Sequence, residues 1–452
     1  MNRLEAWRAD GREVAVAGLG RSGLAAARLL RRHGIPVYAS DAGASAAAEA
    51  GRLAAEHPDG LVIELGRHDH ERIARCSALV LSPGIPPDVE VVTRARRAGV
   101  PMVAEAQVGL EAMADVPYVA VTGTNGKTTT TALVEQLLGA GGRRALAAGN
   151  IGMPLTAVAL AEAQPQWLAV ELSSFQLHDM SGLHPAVGVL TNLAPDHLDR
   201  YPDLASYYAD KARLFADATP GAIWVSNLDD RDSREMVTGV AGRHLAFSTA
   251  RRADAWFDRD RGRLMLGDAE LLERGALALL GDHNVANALA AALAVHATGV
   301  SREALAEGLA SFRALRHRME PVGSIDGVQY INDSKATNVA STAVAIEAMP
   351  APFVLMLGGR HKGEPYTVLA ARLREAATAV VAYGEAAELV EADLRDAVRV
   401  VRAGSFAEAF QAARSLAVSG GAVLLSPACS SYDMFDNYEQ RGDTFRDLVA
   451  AP

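Results

Sequence analysis

The segment Pro117–Leu138, PYVAVTGTNGKTTTTALVEQLL, constrains the fold more than any other part of the chain. Its pattern predicts a buried strand, a glycine-containing loop and a helix, in that order. Gly123 and Gly126 allow the tight turn that points backbone N–H groups at phosphate oxygens, and Lys127 can reach the terminal phosphates. The loop differs from the usual G-x-x-x-x-G-K-[ST] motif because Val121 stands at the first glycine position. We predict a site for a nucleoside triphosphate here.

The length and composition of the chain indicate a soluble protein of several domains. For 452 residues, a usual domain size of roughly 150 residues gives about three domains. No apolar run approaches the roughly 18 residues of a membrane span, and the N-terminal segment has no apolar signal-peptide core. A net charge of −10 argues against non-specific nucleic-acid binding, and two cysteines fit a reducing compartment. We expect a cytoplasmic monomer with neither membrane nor nucleic-acid partners.

Alternating strand and helix patterns predict an α/β protein with three domains. We expect these domains to cover residues 1–105, 106–314 and 315–452. The first domain opens with a β-α-β unit, and the second contains the phosphate loop. The clearest predicted strands lie at residues 78–83, 167–172, 187–193, 222–227, 353–359, 379–384 and 422–427. An Ala/Leu-rich helix over residues 285–297 is the last clear element of the second domain.

A second glycine motif follows the first predicted strand. Gly18, Gly20 and Gly23 form G-x-G-x-x-G, and Asp41 ends the next predicted strand. This arrangement specifies a diphosphate at a helix N-terminus and a ribose hydroxyl on a carboxylate. NAD and a UDP-linked ligand both satisfy it, so the motif alone leaves both open. Glycines needed only for close packing of the helix on the strand are the structural alternative.

Three residues of the second domain are candidate ligands of Mg²⁺. Glu171 ends a predicted strand near the phosphate loop, and His197 follows another strand end. Lys211 shares the apolar face of its helix with residues such as Tyr207 and Phe215. A desolvated lysine has a lowered pKa, and its neutral amine can react with CO₂ to give an anionic carbamate. A lysine that extends its ammonium group to water is the alternative.

Polar residues of the third domain fall in predicted loops after strand ends. They include Arg318, Asn332, Asp333, Lys335, Thr337, Lys362, Ser431 and Tyr432. Each residue alone is typical of a solvated loop. The carboxyl ends of parallel strands are, however, the place where open α/β sheets bind ligands. Taken together, these residues predict a second ligand site that contains cations.

The motifs of the three predicted domains together resemble those of the Mur ligases. GTNGKTT, GNIG, ELSSFQL, NLAPDHLDRY, GDHNVANALAA, HRME, INDSKATN, LGGRHKG and LSPACSSYDMFDNYEQRG occur in the order seen in that family. The resemblance extends from Gly18 to Gly442 and is closest to the glutamate-adding branch. It implies a Rossmann-like N-terminal domain that binds a UDP-linked substrate, a central P-loop ATPase-like domain, and a Rossmann-like C-terminal domain that binds an amino acid.

The resemblance also implies an activity. Mur ligases of this branch join D-glutamate to UDP-N-acetylmuramoyl-L-alanine through an acyl phosphate, with ATP and Mg²⁺, in cytoplasmic peptidoglycan precursor synthesis. Ser430, Tyr432 and Tyr438 stand where the family usually has Ala, Leu or Trp, and Phe, respectively. These departures leave the preference for one glutamate enantiomer open.

Residues that match the family's functional positions are assigned by this resemblance. The ATP-binding set is Gly123, Thr124, Asn125, Gly126, Lys127, Thr128, Thr129, Asn287, Arg318 and Asp333. The metal ligands are Thr128, Glu171, His197 and carbamylated Lys211. The residues expected to act in catalysis are Lys127, His197, Lys211, Arg318 and Lys335. The UDP-substrate set is Gly18, Ser22, Asp41, Gly84 and Asn150, and the glutamate set is Thr337, Lys362, Ser431, Tyr432 and Tyr438.

Three other functions compete with this activity. Another ATP-dependent amide ligase, such as a folylpolyglutamate synthetase or an L-glutamate-adding relative, is the first, and the N-terminal glycine motif disfavours the folate enzyme. A nicotinamide oxidoreductase built on residues 13–103 is the second. A non-catalytic nucleotide-binding scaffold is the third. Substrate-dependent turnover of ATP separates the ligases from the other two.

Overall fold

The computed structural model describes residues 2–197, 200–349 and 352–451. These residues form three β-sheets of five, nine and six strands, and helices pack against each sheet. The chain divides into two compact units. The first unit runs to Glu273 and includes Ala286–Leu309, and the second unit holds Arg274–Val285 and the residues from Ala310 on.

The first sheet belongs to the first unit and is parallel. Its strands are β1 (Val14–Ala17), β2 (Val37–Asp41), β3 (Leu61–Leu65), β4 (Ala78–Leu81) and β5 (Met102–Ala104), in the order β3-β2-β1-β4-β5. Its helices are α1 (Arg3–Asp10), α2 (Arg21–Arg32), α3 (Ala47–Glu56), α4 (His70–Ile73), α5 (Glu90–Arg97) and α6 (Glu105–Ala112). Strand β1 reads VAVA and is buried along its length, as expected for a strand covered on both faces. Helix α2 buries Ala26, Leu29 and Leu30 and exposes Arg21 and Arg32, which is the amphipathic pattern of a helix packed on a sheet.

The second sheet also belongs to the first unit. Its strands are β6 (Tyr118–Thr122), β7 (Ala145–Gly149), β8 (Trp167–Glu171), β9 (Val187–Leu190), β10 (Ile223–Asn227), β11 (Arg243–Ser248), β12 (Ala255–Asp258), β13 (Arg263–Leu266) and β14 (Ala269–Glu273). They lie in the order β14-β13-β12-β11-β10-β9-β6-β8-β7. The helices after β6 are α7 (Lys127–Ala140), α8 (Leu155–Leu160), α9 (Ser174–His178), α10 (Leu204–Ala212), α11 (Arg231–Val237), α12 (Asp282–His296) and α13 (Arg302–Ser311). Because β6 lies between β8 and β9 and all three are parallel, their carboxyl ends meet at one edge.

The third sheet lies in the second unit. Its strands are β15 (Glu320–Ile325), β16 (Val328–Asn332), β17 (Phe353–Gly358), β18 (Ala377–Tyr383), β19 (Val400–Arg402) and β20 (Ala422–Leu425), in the order β15-β16-β20-β17-β18-β19. Its helices are α14 (Val339–Ala348), α15 (Ala370–Ala376), α16 (Ala387–Leu394), α17 (Phe406–Leu416) and α18 (Tyr438–Ala450). In β17, Leu355 and Met356 enter hydrophobic cores on opposite faces of the sheet.

The first two sheets share one hydrophobic core. Leu30 of α2, Val108 of α6 and Leu155 of α8 are all buried in it. A Cβ atom at Gly109 of α6 would lie 2.5 Å from the backbone of Leu155, so a glycine allows α6 and α8 to pack closely. The described residues contain no helix that is both long and apolar enough to cross a membrane.

The predicted α/β class and the alternation of strands with helices are confirmed. The three domain ranges remain a prediction, because the first two sheets belong to one compact unit. Features outside the prediction include the antiparallel strands β12, β13 and β14 at one edge of the second sheet, and helix α13 after α12. The missed strands have only four or five residues each and are separated by short turns, so their alternating pattern is weak.

Candidate active site

The predicted phosphate loop lies between β6 and α7 at the carboxyl edge of the second sheet. Gly126 has a φ of 81° and caps α7 without a side chain, so the first helical turn, which includes Thr128 and Thr129, presents its backbone N–H groups. A Cβ atom at Gly126 would lie 2.2 Å from Asn287 Oδ1, and one at Gly123 would lie 2.0 Å from Thr191 Oγ1. Both positions therefore require glycine. The exposed N–H groups and the helix dipole suit a phosphate.

The loop after β9 holds the phosphate loop in place. The backbone N–H of Thr124 donates to Asn192 O at 2.8 Å, and that of Asn125 donates to Asn192 Oδ1 at 2.9 Å. Thr191 Oγ1 donates to Asn125 O at 2.6 Å. Thr124 and Asn125, which the resemblance assigns to ATP, therefore also fix the shape of the loop. Asn192 is a positioning residue that the sequence analysis missed, because an Asn after a strand is no signal by itself.

Two lysines converge on one carbonyl oxygen of the phosphate loop. Lys211 Nζ donates to Gly123 O at 2.7 Å, and Lys127 Nζ donates to the same oxygen at 3.0 Å and to Thr124 O at 2.8 Å. Lys211 is only 1% exposed, and its Nζ lies 4.6 Å from the centre of the Tyr207 ring. Burial lowers the pKa of Lys211 well below its usual value, and the charge of Lys127 lowers that pKa further. The prediction that Lys211 faces inward is confirmed by this burial.

Glu171 ends β8 beside the phosphate loop and is buried. Its Oε1 accepts a hydrogen bond from Asn150 Nδ2 at 2.8 Å, while Oε2 is buried and has no hydrogen-bond partner among the described residues. A buried carboxylate oxygen without a partner is costly unless a ligand completes it. The structure therefore joins Asn150, which the resemblance assigns to the UDP-linked substrate, to the acid at the phosphate loop.

His197 lies in the loop that precedes α10 and has a φ of 57°, an uncommon backbone conformation for a residue other than glycine. Its ring makes edge contacts with Phe175 at 5.0 Å and with Tyr207 at 6.0 Å. Tyr207 is the same residue that lies against Lys211. The aromatic contacts thus link two of the predicted metal ligands, His197 and Lys211, through Tyr207.

The glycine motif of the first sheet forms the turn between β1 and α2. Gly18 has a φ of 84°, and Ser22 lies in the first turn of α2. Asp41 accepts backbone hydrogen bonds from Leu19 at 2.6 Å and from Gly43 at 2.7 Å, one on each carboxylate oxygen. The carboxylate that the sequence analysis assigns to a ligand hydroxyl therefore also ties the end of β2 to the glycine turn. Gly84 lies in the turn after β4.

A cavity of about 430 Å³ lies within the first unit, between the turn after β4 and helices α9 and α10. Its walls are mostly apolar and include Leu81, Pro83, Ile85, Pro87, Phe175 and Tyr201. The polar groups of the wall include His178 and Asp210, and His178 Nδ1 lies 2.8 Å from Asp210 Oδ1. This hydrogen bond raises the pKa of His178. The sequence analysis assigns no role to either residue.

The second unit holds the other predicted cations and acids. Asp333 is buried, and it accepts hydrogen bonds from the backbone N–H of Met319 at 3.2 Å and from Ser426 Oγ at 2.9 Å. Burial raises the pKa of Asp333 to about 7. Lys335 Nζ lies 3.7 Å from the centre of the Tyr438 ring, which is a close cation–π contact. Arg318 lies in the loop that enters β15.

The residues predicted to bind glutamate follow three adjacent strands of the third sheet, β16, β20 and β17. Lys362 Nζ donates to Thr337 Oγ1 at 3.3 Å, so two of them are in contact. Ser431 is buried, whereas Tyr432 is 64% exposed. Tyr438 begins α18, and its ring lies against Lys335 Nζ. The structure therefore forms two pairs, Thr337 with Lys362 and Lys335 with Tyr438.

A fully buried arginine joins the loops of this second site. Arg441 Nε donates to Ser334 Oγ at 2.9 Å, and Nη2 donates to Ser334 O at 2.8 Å. Its Nη1 donates to Cys429 O at 3.2 Å. Ser334 Oγ in turn donates to Tyr438 O at 2.8 Å. Arg441 thus connects the loop after β16, the loop after β20 and the start of α18, a structural role that the sequence analysis missed.

Three family models match the chain. A MurD-like N-terminal domain model of Mur ligases matches residues 12–104, the Mur ligase middle domain matches residues 121–295, and the Mur ligase glutamate ligase domain matches residues 317–429. The matched ranges contain the glycine turn, the phosphate loop and the third sheet in that order.

Curated relatives match along nearly the whole chain. A UDP-N-acetylmuramoylalanine--D-glutamate ligase of Salinibacter ruber is 41% identical, with 96% of each chain covered. A ligase of the same name from Pelotomaculum thermopropionicum is 39% identical, with 97% of each chain covered. Another from Acidobacterium capsulatum is 38% identical, with 98% of this chain and 96% of the relative covered.

Solved structures share the fold at lower identity. A pseudomurein peptide ligase type C from Methanothermus fervidus has a TM-score of 0.62 at 19% identity, with 97% of this chain and 99% of that chain covered. The UDP-N-acetylmuramate-alanine ligase MurC from Thermotoga maritima has a TM-score of 0.61 at 18% identity, with 97% and 100% covered. A MurF ligase from Thermotoga maritima, solved in complex with ADP, has a TM-score of 0.60 at 18% identity, with 83% and 95% covered. From its three matched domains and its near full-length relatives, this chain is a member of the Mur ligase family.

Proposed function

We propose that this chain joins D-glutamate to UDP-N-acetylmuramoyl-L-alanine, with conversion of ATP to ADP and phosphate, in peptidoglycan precursor synthesis. Mur ligases form amide bonds with ATP, and this chain is an ATP-dependent ligase of that family. The observation that carries the proposal is 38 to 41% identity, over at least 96% of the chain, to ligases named for this reaction. Family membership sets aside the oxidoreductase and scaffold alternatives.

The triphosphate would bind at the loop between β6 and α7. Gly123 and Gly126 leave room for the backbone to approach the phosphates, and the N-terminus of α7 supplies N–H donors. Lys127 Nζ sits on the carbonyls of its own loop. A short rotation of its side chain would bring the ammonium group onto the terminal phosphate. We assign Asn287, whose Oδ1 lies against the turn at Gly126, to the nucleotide as well.

The residues at the loop fit a Mg²⁺ ion bound together with the phosphates. Glu171 has a buried Oε2 without a hydrogen-bond partner in the described residues, which a cation would complete. Within residues 2–197, 200–349 and 352–451, no three acid, histidine or cysteine side chains form a ready metal cage. Mg²⁺ usually takes one or two protein carboxylates and fills its remaining positions with phosphate oxygens and water. Bound here by Thr128, Glu171, His197 and modified Lys211, it would offset the charge of the phosphates.

Lys211 would act as its carbamate. The neutral amine attacks the carbon of CO₂, forms an N–C bond and releases a proton, so a buried neutral amine becomes a buried anion. The depressed pKa of Lys211 favours the neutral amine that this step needs. The ammonium form of Lys211 would repel Lys127 across Gly123 O, whereas a carbamate on Lys211 would attract it.

The reaction would proceed in two transfers. The carboxylate of the UDP-linked substrate attacks the γ-phosphorus of ATP, ADP leaves, and Lys127 remains with the transferred phosphoryl group. The amine of glutamate then attacks the acyl phosphate carbonyl, loses a proton, and expels phosphate as the amide forms. Lys335 and Arg318 would stabilise the oxyanion of that addition. The ring of Tyr438 under Lys335 Nζ would fix the position of the charge.

The two substrates would be held by separate sites. The glycine turn of the first sheet, with Gly18, Ser22 and Gly84 around it, would bind the diphosphate of the UDP-linked substrate. Asp41 would receive a hydroxyl or ring N–H of the nucleoside on a carboxylate that already accepts two backbone bonds. In the second unit, Lys362 and Thr337 would bind a glutamate carboxylate, and Ser431 and Tyr432 would complete the pocket. We also propose a cytoplasmic location and a monomeric state.

The test is a reconstitution with purified chain. UDP-N-acetylmuramoyl-L-alanine, ATP, Mg²⁺ and either D- or L-glutamate are combined, and phosphate release is measured together with the mass of the UDP-linked product. We expect one phosphate per amide formed, with D-glutamate as the acceptor and no product when any substrate is omitted. Equal turnover with L-glutamate would refute the stereochemical part of the proposal. No turnover with either enantiomer would refute the proposal as a whole.

A further inference from the structure

The cavity of the first unit lies between the two ends of the proposed substrate path. At one end, Ser82 Oγ donates to Gly18 O at 2.8 Å, which places the cavity wall against the glycine turn. At the other end, Phe175 contacts the ring of His197 at 5.0 Å. If the proposed function holds, on which this inference rests, the diphosphate lies at the first end and the reacting carboxylate at the second. The acylated amino sugar between them must then occupy the cavity.

One polar feature of the cavity wall is a histidine held by a buried acid. Asp210 is buried, and its Oδ1 accepts from His178 Nδ1 at 2.8 Å and lies 3.4 Å from Arg213 Nε. In the part of the chain that the structure describes, Asp210 is the one hydrogen-bond partner of the His178 ring. The Nδ1 bond fixes the orientation of the ring and leaves Nε2 for a ligand. The His178 side chain is 39% exposed, so a ligand can reach it.

Other polar groups also line the wall, among them Arg200, which lies over the Phe175 ring, and Gln176, whose Nε2 is buried without a hydrogen-bond partner among the described residues. Arg96 lies 3.7 Å from Asp179, and Ser82 already donates to Gly18 O. The hydroxyl oxygen of Tyr201, also on the wall, is buried and has no hydrogen-bond partner among the described residues. A buried hydroxyl in this state indicates that the cavity receives polar groups from a ligand. An amino sugar, with hydroxyl and amide groups on an apolar ring, matches this mixed wall.

We propose that His178 is a specificity-determining residue that hydrogen-bonds the acylated amino sugar of the UDP-linked substrate through Nε2. Asp210 is the positioning residue, because it acts on the substrate through the histidine ring. This assignment separates the residues that bind the nucleotide from a residue that recognises the sugar. UDP alone, which ends at the diphosphate, would not reach His178.

The experiment compares two substitutions that keep different parts of the ring. The amide nitrogen of asparagine falls near Nδ1 of histidine and that of glutamine near Nε2, so His178→Asn keeps the bond to Asp210 and His178→Gln keeps the group facing the ligand. Dissociation constants for UDP and for UDP-N-acetylmuramoyl-L-alanine are measured by titration calorimetry. KM values for the UDP-linked substrate, ATP and glutamate come from phosphate release. His184→Gln, at an exposed histidine in the loop after α9, is the matched control.

We expect His178→Asn to weaken binding of the UDP-linked substrate about tenfold, the equivalent of ~1.4 kcal/mol. In this variant, UDP binding and the KM for ATP should stay within about twofold of the unmodified chain. His178→Gln should keep most of the affinity for the UDP-linked substrate, because its amide nitrogen retains the hydrogen bond to the ligand. Asp210→Asn should raise the KM for the UDP-linked substrate and leave that for ATP unchanged. His184→Gln should change none of these values.

Two outcomes would overturn the inference. Unchanged binding of the UDP-linked substrate by His178→Asn is one of them. The other is equal loss of UDP and UDP-substrate binding in both His178 variants, which would indicate a structural role for the histidine. Failure of the proposed function gives a different result, because the unmodified chain would then release no phosphate with the full set of substrates.

Discussion

Two glycines of the same motif provide a matched test of the proposed ligand site of the first sheet. At Gly23, on the buried face of α2, a Cβ atom would lie 1.7 Å from Gly18 O and 2.8 Å from Ser82 Oγ. At Gly20, the N-cap of α2, a Cβ atom would meet nothing within 4 Å, and φ is −68°. The same Gly→Ala change should therefore disturb the fold at Gly23 and spare it at Gly20.

The expected magnitude follows from the contact. The added Cβ atom at Gly23 would lie 1.7 Å from Gly18 O. A carbon normally approaches a carbonyl oxygen no closer than about 3.3 Å, so the β1–α2 turn must move away by roughly 1.6 Å. Overpacking of a buried site costs about 1–3 kcal/mol, and a backbone clash falls at the upper end of that range. The better helix propensity of alanine offsets about 1 kcal/mol. We expect Gly23→Ala to lose about 2 kcal/mol and Gly20→Ala to stay within about 0.5 kcal/mol of the parent.

The assay measures thermal unfolding and UDP binding for both variants. A loss of about 2 kcal/mol lowers the melting temperature of a unit of this size by roughly 4–8 °C. UDP binding should weaken at least tenfold in Gly23→Ala, because the displaced turn carries the N–H groups that would meet the diphosphate. If Gly23→Ala melts and binds UDP like Gly20→Ala, the turn is more yielding than its geometry indicates, and the reasoning is wrong.

Three further changes test the second sheet and the second unit. Lys211→Ala should reduce turnover severely, with partial rescue by short carboxylates such as acetate that replace the carbamate; near-normal activity without additive would exclude the carbamate. Lys127→Ala should reduce turnover about 10³-fold or more by removing charge from the transferred phosphoryl group, as phosphate release measures. Asp333→Asn should reduce the pH dependence of the free energy of unfolding of the second unit. The pKa of Asp333 in the folded chain is raised to about 7. The contribution of Asp333 to the free energy of unfolding is therefore fully present below its unfolded pKa. As pH rises towards 7 this contribution, roughly 4 kcal/mol in all, is lost. Identical melting curves of parent and variant between pH 4 and 7 would contradict this.

The main architecture can be predicted from sequence because each signal is local. Buried runs such as WLAVE end at Glu171, and the rule that parallel strands place their carboxyl ends at one edge brings Glu171 to the phosphate loop. The inward position of Lys211 follows from helical periodicity, since Tyr207 and Phe215 lie one turn away on the same face. In both cases a short stretch of sequence carries enough information to place the side chain.

Pairings between distant residues carry no such signal. His178 and Asp210 are separated by 32 residues and meet only because α9 and α10 pack together. Arg441 has the sequence pattern of an ordinary helix residue, yet it is fully buried and donates hydrogen bonds to Ser334 and Cys429, which lie 107 and 12 residues from it in the sequence. Asp41 has the position of a ligand-binding acid, but two backbone N–H groups already occupy its oxygens. The His178 and Arg441 contacts depend on how elements that are distant in the sequence pack together.

The distribution of lysine adds an argument that no motif supplies. The chain has 44 lysine and arginine residues, and four of them are lysines: Lys127, Lys211, Lys335 and Lys362. All four lie in the two sites, while the surface ion pairs of the chain, such as Arg28 with Glu56, use arginine. Arginine serves as well as lysine where only a charge facing water is needed, but it cannot lose its proton, form a carbamate or act as a compact point charge on a phosphate. A chain that uses arginine wherever charge alone suffices has kept lysine where the amine itself is needed, which is the chemistry that the proposed reaction requires of Lys127, Lys211 and Lys335.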